Sequence, residues 1–520
     1  MGVAVLRIVP KRPLSAGVSL STAVYDKDRR LLRLTLADDE QYRLWVPLSE
    51  ISPLLVEAVL LHEDRHFYRH FAVNPVALCR AIWMTYVSRE RRVGGSTISM
   101  QVARMRYHLH SRSASGKLSQ IVRAMWLELR YSKAEILEAY LNLVPVGKNI
   151  QGVGAASFVY FAKPVGKLQL PEALTLAVIP QSPARRAPSG EDTQALQRAR
   201  QALFQKWVQQ HPSAQQDAEL MKLKLTLRSP HELPFRAPHF VDSVLQSGRA
   251  SGHVVTTLDL PLQNVLERQI HSYIERQKRF GIRNAAAMLV DGRDMSIRAA
   301  VGSNNFYDQR ILGQVNGTQA KRSPGSTLKP FIYALAIDQG VLHPQTMLKD
   351  SQLAFGTYSP ENFDGKFAGP LSAQQALVRS RNVPALWVAS KLTNPSFYDF
   401  LRSTGVSRLK SESHYGLALV LGGAEVTMEE LAMLYAVLPG QGLLRPLRAL
   451  KSDPPRAGTR VLSDEASFIT LEMLKDNPRP EDTLLTRSLL GIGKVAWKTG
   501  TSYGFHDAWT AGVLGPYVLI

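Results

Sequence analysis

Ser326-Thr327-Leu328-Lys329, then Ser380-Arg381-Asn382, then Lys498-Thr499-Gly500-Thr501: the order of these three fragments decides how the second half of the chain is read. Each fragment alone is weak, since Ser-x-x-Lys recurs at Ser407-Arg408-Leu409-Lys410 and Ser-x-Asn recurs at Ser303-Asn304-Asn305. Lys-Thr-Gly occurs once, and no Ser-x-Asn lies between Lys410 and Lys498, so only the set that begins at Ser326 completes the series. A serine hydroxyl is a poor nucleophile until a base takes its proton. Lys329 is the candidate base, because residues three apart share a helix face and Pro324-Gly325 introduces a helical run here. A lysine becomes a base when burial and a second cation lower its pKa, and Lys498 is the candidate cation. Ser380 would relay protons to a leaving amine, and Asn382 would hold the substrate amide. Val495 to Thr499 reads as a strand ending in a Gly-containing turn, so Thr499, Gly500 and Thr501 would dock an extended peptide and its carboxylate. The backbone N–H groups of Ser326 and Thr501 are the candidate oxyanion hole.

These three motifs resemble the penicillin-binding transpeptidases and serine β-lactamases, which share an α/β fold. The text between them resembles class A penicillin-binding proteins: Thr256-Thr257-Leu258-Asp259, Tyr358 to Asp364, Gly369-Pro370 and Leu421-Gly422-Gly423-Ala424-Glu425-Val426-Thr427.

The first half opens on an ambiguity. His62-Glu63-Asp64-Arg65-His66 fits His-Glu-x-x-His, in which two imidazoles one helical turn apart bind zinc and the Glu activates water. The same residues also begin Glu63-Asp64-x-x-Phe67-x-x-His70, followed by Gly94-Gly95-Ser96-Thr97-Ile98-Ser99-Met100-Gln101. That longer pattern resembles glycosyltransferase family 51, the lysozyme-like, mostly α peptidoglycan polymerases. Lys117, the run Tyr131 to Asn142, Gly147, Gly152 and Ile179-Pro180-Gln181-Ser182-Pro183 follow in the family's order. A polymerase of this kind must deprotonate one sugar hydroxyl while a lipid pyrophosphate leaves another sugar. The resemblance implies Glu63 as general base, with Arg104 and Lys117 as cations on the pyrophosphate. Thr97 and Gln101 would add neutral hydrogen bonds, and Asp64, Phe67, His70 and Gln120 fall at substrate-binding positions. It also allows a divalent cation such as magnesium at that site, although no ligand cluster in the sequence demands one and no cofactor is required.

Several positions depart from the family pattern. Gln120 stands where a second glutamate is usual and can hydrogen-bond but carries no charge. Asn74, Phe71 and Met100 replace a usual aspartate, glycine and glutamine. The Ser-Met-Gln-Val-Ala-Arg string and Gln120 are most similar to the 1C subgroup.

Composition fits an enzyme at an anionic surface: 63 Lys and Arg face 43 Asp and Glu, a net charge of +20 over 520 residues, which favours lipid headgroups and pyrophosphates. No zinc finger, aromatic RNA-binding motif or basic heptad region supports nucleic acid as the partner. The single cysteine, Cys79, excludes an internal disulfide. It lies in the apolar stretch Pro75 to Val87, which ends in Arg89-Glu90-Arg91-Arg92 and reads either as a helix in a membrane interface or as an ordinary core helix. No run of about 18 apolar residues could span a bilayer, and Met1 to Thr22 lacks a signal-peptide core, so both ends read as cut. Ala508 to Leu514 and Tyr517 to Ile520 read as two strands. The second stops after a few residues, where the resembled fold places a strand inside the sheet beside the first one, so loss of that strand would leave backbone groups unpaired.

The expected organisation is an N-terminal segment over 1–50 with strands near Ser21 to Tyr25 and Leu31 to Thr35, a helical glycosyltransferase domain over 51–185, a linker over 186–252, and an α/β transpeptidase domain over 253–520. Spacing predicts helices over Ser132 to Leu143, Pro171 to Ile179 and Asp192 to Gln210, the last with Leu196, Ala199, Ala202, Leu203 and Trp207 on one face. A strand pair is expected at Ala287 to Val290 and Ser296 to Val301. The resemblance therefore implies a bifunctional, penicillin-sensitive peptidoglycan synthase. It would sit at the outer face of a bacterial inner membrane, take lipid II and nascent peptidoglycan as substrates, and accept β-lactams as covalent inhibitors. The alternatives are a non-enzymatic or partly inactive β-lactam-binding scaffold and the zinc protease.

Overall fold

The computed structural model describes Arg7 and residues 10–74, 96–110, 113–187, 194–222, 225–353, 359–478 and 494–520. The apolar stretch Pro75 to Val87, Cys79, Gly94, Gly95 and Tyr358 lie outside these. Two compact units result, one of residues 1–24, 31–235 and 250–254, the other of residues 25–30, 236–249 and 255–520. The predicted boundaries thus shift. The linker helix folds with the first unit, while 236–249 and the short stretch 25–30 go with the second.

The first unit is helical. After strands β1 (Ala23–Tyr25) and β2 (Leu31–Leu34) come α1 (Pro53–Glu63), α2 (Ile98–Arg106), α3 (Ala114–Arg130), α4 (Lys133–Leu143), α5 (Val153–Phe161), α6 (Leu170–Val178) and α7 (Gln194–Gln210). The start of α4 follows from a capping box: Ser132 accepts from the Glu135 N–H while Glu135 reaches back to the Ser132 N–H. Glu138 and Asn142, one turn apart on α4, hold the N-terminal segment. Glu138 accepts from the Trp45 indole and the Leu48 N–H, and the buried Asn142 amide bonds both the N–H and the carbonyl of Val46 at 2.8 Å. In α7 the buried face is Leu196, Arg200, Leu203, Phe204 and Trp207. Ala202 turns to solvent and Phe204 takes the place the spacing had given to alanines. Among the described residues no helix is long and apolar enough to cross a membrane.

The second unit is built on a five-stranded antiparallel sheet. In chain order, α8 (Pro238–Gln246) and α9 (Leu260–Gln277) precede the hairpin β3 (Ala287–Asp291) and β4 (Ser296–Val301). Then come α10 (Lys329–Asp338), α11 (Ala373–Val378), α12 (Asn382–Lys391), α13 (Met428–Val437) and α14 (Asp464–Lys475). Strands β5 (Ala496–Thr501), β6 (Ala508–Leu514) and β7 (Tyr517–Leu519) close the series. The sheet order is β5-β6-β7-β3-β4. The expected gap beside β3 is therefore filled over the length of β7: Tyr517, Val518 and Leu519 pair with Asp291, Val290 and Leu289, and Ile520 exchanges both backbone bonds with Met288. Helix α10 is buried from Lys329 to Ala336, a continuous apolar run except for its first residue. That exception is the lysine of the first motif.

Candidate active sites

Ser326 lies in a 3-10 turn, Gly325–Leu328, that runs directly into α10. In such a turn residues i and i+3 eclipse, so Ser326 and Lys329 share a face as expected, though by a tighter geometry than an α-helix. The turn is pressed against β5. A β-carbon at Gly500 would collide with the Pro324 carbonyl, and one at Gly325, where φ is +53°, would sit 2.7 Å from the Thr501 backbone nitrogen. Glycine at these two positions lets the nucleophile turn and the strand touch backbone to backbone. Gly500 is thus inside the strand, paired with Trp509, and not in a turn after it. The contact also brings the Thr501 backbone nitrogen beside the Ser326 turn, where the oxyanion hole was expected.

The three motifs meet through their cations. Lys329 Nζ, wholly buried, donates to the Ser380 carbonyl at 2.8 Å and to Asn382 Oδ1 at 2.7 Å. Lys498 Nζ donates to Ser380 Oγ at 2.7 Å and to the Thr499 carbonyl at 2.8 Å. Burial, then the charges of Lys498 and Arg381, hold the Lys329 pKa well below the ordinary lysine value, and burial brings Lys498 down to about 7. Ser380 sits at φ 60°, in the left-handed region where a serine is strained, which places such a residue at a site that needs its side chain fixed. Asn382 Nδ2 donates to the Glu361 carbonyl at 2.8 Å, so Lys329 and Glu361 fix the orientation of the amide, whose NH2 group has a second hydrogen to donate.

A supporting layer escaped the sequence. Asp350, fully buried, accepts from Arg381 Nε at 2.8 Å and from the Asn362 amide at 2.7 Å, and Asn362 Oδ1 receives the Asn382 N–H at 2.8 Å. Arg381 also reaches Asp364 at 3.0 Å. The decoy serine is explained as well: Ser407 Oγ donates to Glu430 at 2.6 Å, and Lys321 pairs with the same carboxylate.

In the helical unit Glu63 ends α1. Its Oε2 accepts from the Gln101 amide at 2.8 Å, while its buried Oε1 has no partner among the described residues. Burial raises its pKa, opposed by Gln101 and Arg186. Lys117 donates to Ser96 Oγ at 2.7 Å and to Gln120 Oε1 at 3.0 Å, and burial followed by the charge of Arg104 lowers its pKa. Arg104 is exposed and lines a cavity of about 540 Å³ with Arg43, Arg106, His108 and Gln151 among its walls. Tyr140 was quoted only within its run. Its buried hydroxyl has no hydrogen-bond partner among the described residues, and burial and then the Glu63 charge raise its pKa.

Other positions predicted to contact substrate are occupied inside the fold. Asp64 accepts from His70 at 2.9 Å and from the Ile98 N–H at 3.2 Å, so it ties the segment after α1 to the start of α2. Phe67 is 1% exposed beneath Lys133. Thr97 is the N-cap of α2, its hydroxyl accepting from the Met100 N–H and donating to the Ala72 carbonyl. Gln120 is also buried; its Nε2 donates to the Met100 carbonyl at 2.6 Å while its oxygen receives Lys117. The zinc reading falls here. Helix α1 stops at Glu63, so His62 and His66 do not occupy successive helical turns. Burial presses the His62 pKa to about 4, and no metal-holding cluster of acidic, His or Cys side chains forms among the described residues.

Comparison with known proteins matches two stretches of the chain to two families. Residues 29–208 match the transglycosylase family and residues 285–513 the penicillin binding protein transpeptidase domain. Penicillin-binding protein 1C of Escherichia coli is 38% identical over 92% of this chain and 61% of the relative. Penicillin-binding protein 1B of Vibrio cholerae is 28% identical over 94% of this chain and 66% of the relative. The chain thus spans about two thirds or less of the length of these two. The crystal structure of penicillin-binding protein 1A from Haemophilus influenzae has the same fold, with a TM-score of 0.54 over 97% of this chain and 88% of that one at 18% identity. With a helical transglycosylase domain followed by an α/β transpeptidase domain, each carrying its motif residues, the chain belongs to the class A penicillin-binding proteins.

Proposed function

We propose that the protein polymerises lipid II into glycan strands and cross-links their stem peptides, and that β-lactams acylate it. The observation that carries the reading is the joining of Lys329, Ser380, Asn382 and Lys498 in one buried network on the face that Ser326 shares. Lys329, its pKa lowered by burial and by the charge of Lys498, would take the Ser326 proton as Oγ attacks the carbonyl of the penultimate D-alanine. The oxyanion would lie against the backbone N–H groups of Ser326 and Thr501. Ser380, fixed by Lys498, would hand a proton to the departing D-alanine amine. An amine of a second stem peptide would then displace Ser326. Asn382 would orient the donor amide, and Thr499, Gly500 and Thr501 would receive the terminal carboxylate.

In the helical domain Glu63 Oε1, which has no hydrogen-bond partner among the described residues, would accept the proton of the attacking sugar hydroxyl. Lys117 and Arg104 would take up charge on the leaving pyrophosphate, with Gln101 holding the other Glu63 oxygen. A divalent cation such as magnesium would enter only as a companion of that pyrophosphate: no cluster able to hold a resident ion forms among the described residues, and no step here runs through one. An outer-leaflet membrane surface is the proposed setting. The exposed stripe Leu118, Val122, Met125 and Trp126 on α3, with Arg123 beside it and Arg130 over the Trp126 ring, supports this, because apolar side chains and flanking arginines suit lipid and phosphate together.

Incubation of the chain with lipid II separates the two activities. Wild type yields cross-linked polymer, Ser326→Ala yields uncross-linked polymer, and Glu63→Gln yields none. Polymer from Glu63→Gln, or cross-links from Ser326→Ala, would refute the assignment.

A further inference from the structure

Two neighbouring segments of the second unit hold large side chains out in solvent. After α9 a 3-10 turn, Lys278–Phe280, leads into residues 281–286, and after β4 a loop runs over residues 302–315. Asn284 joins the two: its Oδ1 accepts from the Asn304 N–H at 2.9 Å and its Nδ2 donates to the Ile311 carbonyl at 3.3 Å. The loop is also pinned across its base, because Ser303 Oγ and His239 Nε2 both donate to the Gly313 carbonyl, at 2.7 and 2.9 Å. On this fixed frame Phe280, Tyr307 and Leu312 are 65%, 69% and 69% exposed. Leu312 sits at φ 52°, a left-handed conformation costly for leucine, so the backbone carries strain while the side chain gains no burial. The cations divide into two kinds. Lys278 and Arg310 are met by Glu275 and Asp308. The exposed Arg279, over the Phe280 ring at 4.7 Å, and the exposed Arg283 have no carboxylate partner among the described residues.

We propose that this surface docks a glycan strand bearing uncross-linked stem peptides, apart from the residues of either active site. The rings of Phe280 and Tyr307 take the C–H faces of its sugars, and Arg279 and Arg283 take carboxylates of its stem peptides. The proposal rests on the reading above in taking such a strand as substrate. Guanidinium forks match carboxylates, and the strand repeats carboxylates beside apolar sugar faces, which is the combination the surface offers. Gln309 and Gln314, exposed on the same loop, give the hydroxyls and amides of the strand partners that acyl chains of a lipid would leave unused. A strand held on the unit that carries Ser326 presents its stem peptides to that serine at a raised effective concentration.

The test is co-sedimentation of the full chain with purified insoluble peptidoglycan at about 0.15 M salt, with phosphatidylglycerol vesicles as a parallel arm. Arg279→Gln combined with Arg283→Gln, and separately Phe280→Ala combined with Tyr307→Ala, should each weaken peptidoglycan binding by about five- to tenfold. Lys391→Gln combined with Arg402→Gln, which removes the same charge from other segments, should leave it unchanged. An equal loss in that control pair, or wild-type binding in both surface variants, would overturn the site. So would loss of vesicle binding with peptidoglycan binding retained, since the ligand would then be a lipid surface. Benzylpenicillin should acylate Ser326 in every variant at the wild-type rate, which reports an intact fold. Absence of that adduct in wild type would overturn the transpeptidase reading, while sedimentation would still read the docking surface.

Discussion

The two domains solve the same problem with opposite signs. In the proposed reactions the helical domain uses a carboxylate that picks up a proton, and Glu63 is the last residue of α1, where helix carbonyls disfavour negative charge; burial raises its pKa further. The transpeptidase domain needs an amine that picks up a proton, and Lys329 is the first residue of α10, where helix N–H groups disfavour positive charge. Burial and Lys498 lower its pKa. In each case the base stands at the helix end that is hostile to its ionised form. The difference lies in what surrounds it. Lys329 gives hydrogen bonds to two acceptors and is walled by a second cation, whereas one Glu63 oxygen and the Tyr140 hydroxyl that feels its charge have no hydrogen-bond partner among the described residues.

That contrast can be tested through Lys498. Its folded pKa of about 7 lies below the ordinary 10.5, so between these values the unfolded chain binds the extra proton. Stability therefore rises with pH across that window, by at most about 1.4 kcal/mol per pH unit for one group. Chemical denaturation of the transpeptidase domain at pH 7 and at about pH 9 should show wild type gaining on Lys498→Met. A constant difference would mean that Lys498 is not depressed. An effect at least as large is expected at Arg381: replacement by alanine leaves buried Asp350 without its cation, which costs about 3 kcal/mol or more, and slows penicillin acylation because the Asp350–Asn362 pair that holds the Asn382 N–H is disturbed. Retained stability and rate would remove Asp350 from the account. On the helical side Gln120→Glu places two acceptors against each other, since a carboxylate cannot donate to the Met100 carbonyl. A loss of about 1–3 kcal/mol, read by denaturation, is expected; a stabilised variant would show that Lys117 dominates that position.

What was legible in the sequence follows from this chemistry. Ser326, Lys329 and Lys498 were readable because a nucleophile and its base must sit at fixed local spacing, and because the order of the motifs leaves one consistent set. Glu63, Gln101 and Lys117 emerged from a resemblance; Gln101 bonds Glu63, while Lys117 bonds Ser96 and Gln120. Asp350 was not readable: its partner Arg381 is 31 residues away, and no periodicity joins charges across such a distance. The N-cap role of Thr97 was also legible, since a threonine directly before an apolar helical run is an N-cap signal. Phe67 and Gln120 carried no mark of burial that spacing could supply. The left-handed backbone at Ser380 is set by the packing around it and leaves no trace in residue type.

The most direct test is mass-spectrometric mapping of the benzylpenicillin adduct at neutral pH on wild type, Ser326→Ala, Lys329→Ala and Ser407→Ala. An adduct is expected on the Ser326 peptide in wild type and in Ser407→Ala, and its loss in both of the other variants. An adduct on Ser407, or one that persists at the wild-type rate without Lys329, would contradict it.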